Sequence, residues 1–400
     1  MRCLWLTLAD PAPAYNGQYL YSGGLIDAVA EAGAEVVVVG LARPESTRRD
    51  GAREGRVLWR LADDQPLSHR ASLTSSLPNM AKRCTTPTMR RLLGEVLADG
   101  TFDTVVFDGI SAGWALQRVV KRWPRGPNRP KMDRPKMVYV SHNHERSLRQ
   151  ALAENHPGFL KRQGLKLDAH KVARLERALV AEADLVTAIT PEDGVLYGVE
   201  WPHKLIEVLT PGYRGRALTE RRITPDLPRR AVVVGSFDWI AKRLNIAEFI
   251  QVADPIFAAH GVELEIVGSG NPAFFDQIRK SLVATHFTGT VDQIDRYMES
   301  ARIAIVPERN GGGFKLKVLE YIFNRTPIFA LEGSVAGVPL EHDDSIQLYP
   351  DQRALALGVW RAIDDLGRLN RLQNRAFERC RDSFDWPSRG RHFLAAVSAL

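Results

Sequence analysis

Short runs of valine, isoleucine and leucine recur along this chain without polar residues at alternate positions, and most are followed by a longer stretch of helical spacing. Such runs suit strands buried on both faces, which a parallel sheet covered by helices on each side provides. They fall into two series. The first comprises Leu4–Leu8, Glu35–Val39, Val57–Leu61, Thr104–Phe107, Val138–Ser141, Leu185–Ile189 and Glu207–Thr210, with helical patterns such as Gly24–Ala32 and Gly164–Ala183 between them. The second comprises Ala231–Val234, Leu264–Val267, His286–Thr288, Ile303–Val306, Pro327–Leu331 and Ile346–Leu348, separated by patterns such as Asn245–Ala259 and Lys315–Phe323. Between the series lies polar, turn-forming chain, Pro211-Gly212-Tyr213-Arg214-Gly215 and Arg221 to Pro228, which reads as a linker. A chain of 400 residues is too long for one ordinary core. The pattern therefore predicts two doubly wound α/β domains facing a cleft, with ligands beyond the carboxyl ends of strands.

Charge and cysteine usage narrow the partners only a little. Lys and Arg number 54 against 47 Asp and Glu, and this excess favours anionic partners: phosphorylated ligands, nucleic acid or the inner face of a membrane. Much of it sits between Arg118 and Lys136, where eight basic residues face Asp133 alone. Four prolines there predict an irregular loop, either solvated or in contact with a membrane. No apolar run approaches the ~20 residues that span a bilayer. The first residues read as a buried strand rather than a signal segment, so the expected location is the cytoplasm, with peripheral contact at the inner membrane face as an option. Cys3, Cys84 and Cys380 are far apart and show no metal-ligand spacing, so reduced structural thiols are expected.

One segment carries chemistry. Ile303-Ala304-Ile305-Val306 runs through Pro307-Glu308-Arg309-Asn310 into Gly311-Gly312-Gly313-Phe314-Lys315-Leu316-Lys317-Val318-Leu319-Glu320. Three glycines let backbone approach a ligand without a Cβ in the way. The free N–H groups and positive dipole end of a following helix make an anion site, and Lys315 and Lys317 add charge to it. Glu320 lies far enough into that helix to meet a group hanging from the anion, such as ribose hydroxyls. On spacing alone, a flexible turn with solvated lysines explains the segment equally well.

The whole segment resembles the donor-site motif of glycosyltransferase family 4, in the branch that reads Gly-Gly-Gly-Thr-Arg-Leu-Lys-Ile-Leu-Glu. Other pieces follow in the same order. Val234-Gly235-Ser236-Phe237-Asp238-Trp239 with Lys242 resembles the first loop of the family's C-terminal domain. Ile266-Val267-Gly268-Ser269-Gly270 resembles its next strand and turn, and Phe287 to Val291 the stretch beside the base pocket. Phe384-Asp385-Trp386 resembles its closing segment. In the first half the likeness is weaker: Asn16-Gly17-Gln18 stands where the family has a glycine-rich loop, and Ser141-His142-Asn143-His144-Glu145 resembles its His-Asn-x-Glu element.

The resemblance implies a GT-B fold: an N-terminal Rossmann-like domain over 1–213, a linker over 214–228, a C-terminal Rossmann-like domain over 229–378, and a final helix over 379–400 that crosses back. It implies a retaining, metal-independent transferase, without a cofactor, that moves a sugar from a UDP- or GDP-sugar to an acceptor sugar, lipid or small molecule. Lys242 and Lys315 would neutralise the pyrophosphate, assisted by backbone N–H groups from Gly313 to Lys315. Glu320 would hold the ribose, and His142 would face the sugar. Gly17, Gly235, Ser236, Gly268, Gly311, Gly312, Gly313, Phe314 and Leu316 would complete the donor site. Gly312 stands where many members have a sugar-binding Glu, and Ser236 where many have an arginine. Glu308 is near but out of register.

Competing readings stay open. A nucleotide-sugar epimerase or phosphorylase-like enzyme would keep the fold, and a catalytically silent protein of this fold would bind a partner instead. His142 and His144 alternate in a way that suits no shared metal. Asp108, at a strand end, is placed either to touch the acceptor or to bond loop backbone, with the latter expected, and Glu145 to cap a helix or orient His142. No Gly-x-Ser-x-Gly elbow occurs, and the basic stretches lack the interleaved aromatics of a nucleic-acid site, so no nucleic-acid partner is expected.

Overall fold

Each apolar run forms a strand, with small shifts at the ends. The first series yields β1 (Arg2–Ala9), β2 (Glu35–Leu41), β3 (Arg53–Glu54), β4 (Val57–Ala62), β5 (Thr104–Asp108), β6 (Lys136–Val140), β7 (Leu185–Ala188) and β8 (Leu205–Val208). The second yields β9 (Arg230–Val234), β10 (Glu263–Val267), β11 (Thr285–Gly289), β12 (Ile303–Val306), β13 (Ile328–Leu331) and β14 (Gln347–Tyr349). This computed structural model describes residues 1–124, 134–154, 158–237, 240–308 and 313–400. The chain divides into two units, Met1–Gly212 with Asp385–Leu400, and Tyr213–Phe384.

The first unit holds an eight-stranded sheet in the order β3-β4-β2-β1-β5-β6-β7-β8, parallel except for the short β3. The second holds a six-stranded parallel sheet in the order β11-β10-β9-β12-β13-β14. In both, the chain winds one way from its first strand and then returns to build the other half. The order reverses between β1 and β5 in the first unit and between β9 and β12 in the second. At a reversal the loops leaving neighbouring strands diverge, and the sheet opens a crevice at its carboxyl edge. Helices cover both faces, so the central strands have no solvated side: all four residues of β12 are buried, as are Trp5 in β1 and Val232 and Val233 in β9.

Several elements depart from expectation. The basic stretch is not loop throughout: Leu116–Arg122 is a helix and β6 begins at Lys136, while residues 125–133 lie outside the described part. Three of the cations at its ends are spent on backbone carbonyls: Arg118 donates to Arg90 O, Arg122 to Leu97 O and Lys136 to Val397 O, at 2.8, 3.2 and 3.1 Å. The stretch read as a linker is fastened to the second unit. Arg221 donates to the carbonyls of Glu299, Ala301 and Arg325, and Ile223 is buried with its N–H on Asn370. The helix expected from Gly164 starts at Phe159, and that expected from Asn245 starts at Ile240. Cys3, Cys84 and Cys380 are buried free thiols.

The last helix, Trp386–Ser398, belongs to the first unit and lies on the helix Gly17–Glu31. Small residues permit the approach. A Cβ on Gly390 would sit 2.0 Å from Ala28 O, which is backbone and cannot turn aside. One on Gly24 would meet the Trp386 ring at 2.2 Å, and Phe393 packs on Trp5 with ring centroids 5.6 Å apart. Gly390→Ala is therefore expected to destabilise the first unit by about 1–3 kcal/mol, seen as a lower melting temperature. Gly198→Ala is the control, because a Cβ there meets nothing within 4 Å and the position is helical. It should leave the melting temperature unchanged or raise it.

Candidate functional site

In the second unit the crevice lies between the loops leaving β9 and β12. Gly235 follows β9 and donates to Val267 O at 3.0 Å, and Phe237 N donates to Ser269 O at 2.7 Å. These bonds tie the two loops Gly235–Phe237 and Gly268–Gly270 together. Gly268 adopts φ +138°, and a Cβ on it would lie 1.7 Å from Gly235 O, so only glycine fits. Ser236 is half-buried in the same loop, and Lys242 follows in the first turn of Ile240–His260. Asp238 and Trp239 lie outside the described residues.

β12 ends at Val306, and Glu308 is buried just beyond it. Arg309, Asn310, Gly311 and Gly312 fall outside the described residues. The chain is described again at Gly313, whose φ of +71° favours glycine. Phe314 packs against Phe384 at 5.7 Å, Lys315 occupies the cap position, and Leu316 opens the helix Leu316–Phe323. Val318, Leu319, Ile322 and Phe323 are buried on its inner side, which fixes the helix and aims its N-terminus at the crevice. The helix ends without glycine. Arg325 takes φ +50°, held by its side chain on Leu218 O at 2.7 Å and on Asn374 at 2.8 Å.

Around this N-terminus the structure gathers three lysines and one carboxylate. Lys317 Nζ pairs with Glu308 Oε1, while Glu308 Oε2 is buried with no hydrogen-bond partner among the described residues. Burial pushes the Glu308 carboxyl up, yet it stays below its ordinary value because Lys317, Lys315 and Lys242 outweigh that effect. Lys315 shows the converse: burial lowers its ammonium pKa, Glu308 opposes, and Lys317 and Lys242 add to the fall. The sequence offered Lys242 and Lys315 for this place. It gave Glu308 no role, because a carboxylate among phosphate-binding lysines becomes visible only when the loops are folded together.

Glu320 sits one turn further along the helix and makes a separate contact. Tyr213 Oη donates to its Oε2 at 2.8 Å, and the Tyr213 ring stacks on Phe323 at 4.3 Å. Burial raises the Glu320 carboxyl, which the Tyr213 hydrogen bond moderates. Tyr213 lies in the turn-rich break and carried no sequence signal for this partnership.

The first unit brings together a different set. Asp108 ends β5 and pairs in register with Val140, so His142, two residues past Val140, falls beside it. His142 Nε2 lies 2.6 Å from Asp108 Oδ1. Trp5 Nε1 and Thr7 Oγ1 donate to Asp108 Oδ2 at 3.1 and 2.9 Å. Asp108 thus binds side chains and not loop backbone as expected. It, rather than Glu145, orients His142. Burial alone would raise the Asp108 carboxyl; His142 and then Trp5 outweigh it and hold it below its ordinary range. With Nε2 turned to the carboxylate, Nδ1 is left as the ring's second polar atom. Tyr21, on the helix that Gly17 opens, meets the His142 ring edge-on at 5.5 Å. Asn16 caps that helix by accepting from Tyr19 N at 3.0 Å, and Gly17 is exposed at its start.

Behind His142 lies a buried polar network. Glu176 accepts from the backbone N–H of Glu145 and Arg146, both at 2.9 Å, and from Tyr197 Oη at 2.6 Å. Tyr197 Oη also lies 2.8 Å from Ser141 Oγ. Glu176 therefore fastens the start of Glu145–Glu154, and with it the loop that carries His142. His144 has different partners from His142 and meets Ser147 at 2.7 Å and Glu200 at 3.3 Å. Glu145 pairs with Arg149 at 3.1 Å.

Residues 228–365 match the family model described as glycosyl transferases group 1. No curated protein matches the chain. Among solved structures, the sucrose-phosphate synthase (tll1590) from Thermosynechococcus elongatus is similar at a TM-score of 0.75 and 17% identity, covering 100% of this chain and 98% of its own. WaaG, a glycosyltransferase involved in lipopolysaccharide biosynthesis, gives 0.66 and 16%, with 100% of both chains covered. The Anabaena protein Alr3699/HepE in complex with UDP and glucose gives 0.62 and 13%, again over 100% of both. The chain has the GT-B glycosyltransferase fold, and its second unit carries the group 1 model.

The network behind His142 should be visible in the pH dependence of stability. Burial pushes the Glu176 carboxyl from 4.5 up to about 7. The folded state therefore holds this proton more tightly than the unfolded chain does. Stability is greatest below the unfolded value of 4.5 and is lost as pH rises through about 7, by roughly 3 kcal/mol for this group. Glu176→Gln should flatten the decline in melting temperature across that window. An unchanged slope would remove Glu176 as its source.

Proposed function

We propose that this chain, whose second unit matches the group 1 glycosyl transferases, moves a sugar from a nucleoside diphosphate sugar to an acceptor hydroxyl. The observation that carries this reading is the grouping of Lys242, Lys315 and Lys317 about the buried Glu308, at the strand-order reversal and the N-terminus of Leu316–Phe323. Three lysines against one carboxylate leave an excess of positive charge, which suits a diphosphate. Lys242, Lys315 and the backbone N–H groups from Gly313 to Lys315 take its oxygens. Negative charge grows there as the glycosidic bond breaks, so fixed cations in a partly dry crevice favour the transition state over the ground state.

Glu320 offers its second carboxylate oxygen to the ribose hydroxyls while Tyr213 holds the first. Gly235, Ser236 and Gly268 line the crevice where backbone must come close, with Phe314 and Leu316 beside them, while Gly311 and Gly312 lie outside the described residues. His142, locked by Asp108, is the first unit's candidate to contact a sugar hydroxyl. We assign the reaction as retaining and independent of metal or cofactor: the acceptor hydroxyl attacks from the face the diphosphate leaves, and the leaving phosphate takes its proton. No side chain then acts as general base. The acceptor is a sugar, a lipid or a small molecule. UDP is the first nucleotide to try, because the Anabaena protein is similar in fold and was crystallised with it.

The test is binding followed by turnover. UDP, GDP, ADP and phosphate are compared by thermal shift, and one nucleoside diphosphate should stabilise the protein well beyond phosphate. Lys315→Ala should weaken it by about 10- to 100-fold through loss of a charge-assisted contact, and Glu320→Ala should weaken it while leaving phosphate binding intact. Affinity should also fall with rising pH earlier than an ordinary lysine would titrate, since the bound form needs Lys315 charged and burial lowers its pKa. Turnover should survive a chelator and keep the anomeric configuration. A donor altered without any acceptor would replace this reading with an epimerase. No shift with any nucleotide would replace it with a silent binding protein.

A further inference from the structure

The helix Phe159–Glu182 is 24 residues long, about 36 Å, and its two halves are built differently. The second half is anchored: Val172, Glu176, Leu179 and Val180 are buried, and Val172, Leu179 and Val180 join the apolar core of the first unit. In the first half no residue from Phe159 to Lys171 is buried. Apolar side chains are nevertheless present there and face out. Leu160 is 83% exposed, Phe159 63% and Leu167 49%. One exposed leucine requires no explanation, but three large apolar groups along the free half of one helix do. Leu160 and Leu167 lie seven residues apart and so share one face, and the intervening Gln163 and the later His170 and Arg174 extend the same exposed stripe.

The charge of this surface is one-sided. Between Phe159 and Arg177 the exposed charged residues are Lys161, Lys166, Arg174 and Arg177, and none is acidic. The two carboxylates in that span are turned inward: Asp168 accepts from Asn79 N at 2.7 Å, and Glu176 holds the start of the preceding helix. In that preceding helix, Glu145–Glu154, the only exposed carboxylate is Glu154, bonded to Gln150 at 3.0 Å. A second apolar patch, Val195 and Val199 on Pro191–Glu200, lacks this character because Glu192 and Glu200 sit on the same short helix.

We propose that the free half of Phe159–Glu182 docks on an anionic lipid bilayer, with Phe159, Leu160 and Leu167 entering the headgroup boundary and Lys161 and Lys166 meeting lipid phosphates. Apolar groups bordered by cations and free of carboxylates are what such a surface selects. A nucleic-acid phosphate backbone would use the cations but give the aliphatic side chains nothing to bury. The basic stretch before β6 is a poorer candidate, since three of its described cations, Arg118, Arg122 and Lys136, are spent on backbone carbonyls and no exposed apolar group is described beside them. The inference stands on surface chemistry alone and does not depend on the transferase reading.

The experiment is co-sedimentation of the full chain with phosphatidylcholine vesicles, either pure or containing about 30 mol % phosphatidylglycerol. The wild type should pellet with the anionic vesicles and much less with the neutral ones. The Phe159→Ser/Leu160→Ser double variant should partition at least about tenfold less, and Lys161→Glu/Lys166→Glu should lose most of the difference between the two lipids. These side chains are exposed, so both variants should melt as the wild type does. Failure of the wild type to pellet with anionic vesicles would overturn the proposal, as would equal partitioning of the apolar double variant. Capture of a labelled DNA duplex without vesicle binding would assign the cations to phosphate recognition and overturn it too.

Discussion

Two parallel sheets covered on both faces impose the constraint from which the rest of this structure follows. Once helices lie on each side, a strand such as β12 or β9 has no solvated face, and a polar side chain along it would be buried without water. Chemistry is therefore displaced to the strand ends. Asp108 is the last residue of β5, His142 follows β6, Gly235 follows β9, and Glu308 lies just past β12. Reversal of strand order then decides which ends diverge enough to admit a ligand.

The charged groups at these ends differ in how completely they are satisfied. Asp108 is fully buried and has partners on both oxygens, Trp5 and Thr7 on one and His142 on the other. Such a carboxylate is a fixed support, and its work is to hold an imidazole in one orientation. Among the described residues Glu308 has a partner on one oxygen only, and the lysines around it repel one another. Burial is the main reason the Lys315 ammonium is lowered, and Lys317 and Lys242 add to the fall, so the cluster keeps an excess of positive charge. One unit thus holds a rigid polar cluster and the other a cluster of cations in excess of their carboxylate.

The fold was legible because its signal is repetitive. Thirteen apolar runs were long enough, and sufficiently free of polar alternation, to read as strands, and all of them are. Among the described residues only the two-residue β3 was not legible, since Arg53 and Glu54 carry no β pattern and pair at an edge. The candidate site was legible in part. Glycines, lysines and Glu320 near one helix start form a local pattern, so contiguous residues disclose them. Asp108 with His142, Tyr213 with Glu320, and Glu176 with the Glu145 helix are each separated by at least 31 residues. No local pattern can announce a partner that far along the chain.

What the amino-acid order determined by itself was the alternation of buried strand and amphipathic helix, the turn at Gly313, and the supply of cations beside it. These depend on neighbours within a few residues, where hydrophobic period and backbone sterics act directly. Tertiary structure alone decided that the aspartate at the end of β5 would clamp His142, that a glutamate would sit among the lysines, and that half of one long helix would keep its leucines in solvent. Those outcomes depend on which surfaces the sheets had already covered, and burial of that kind is a property of the packed chain.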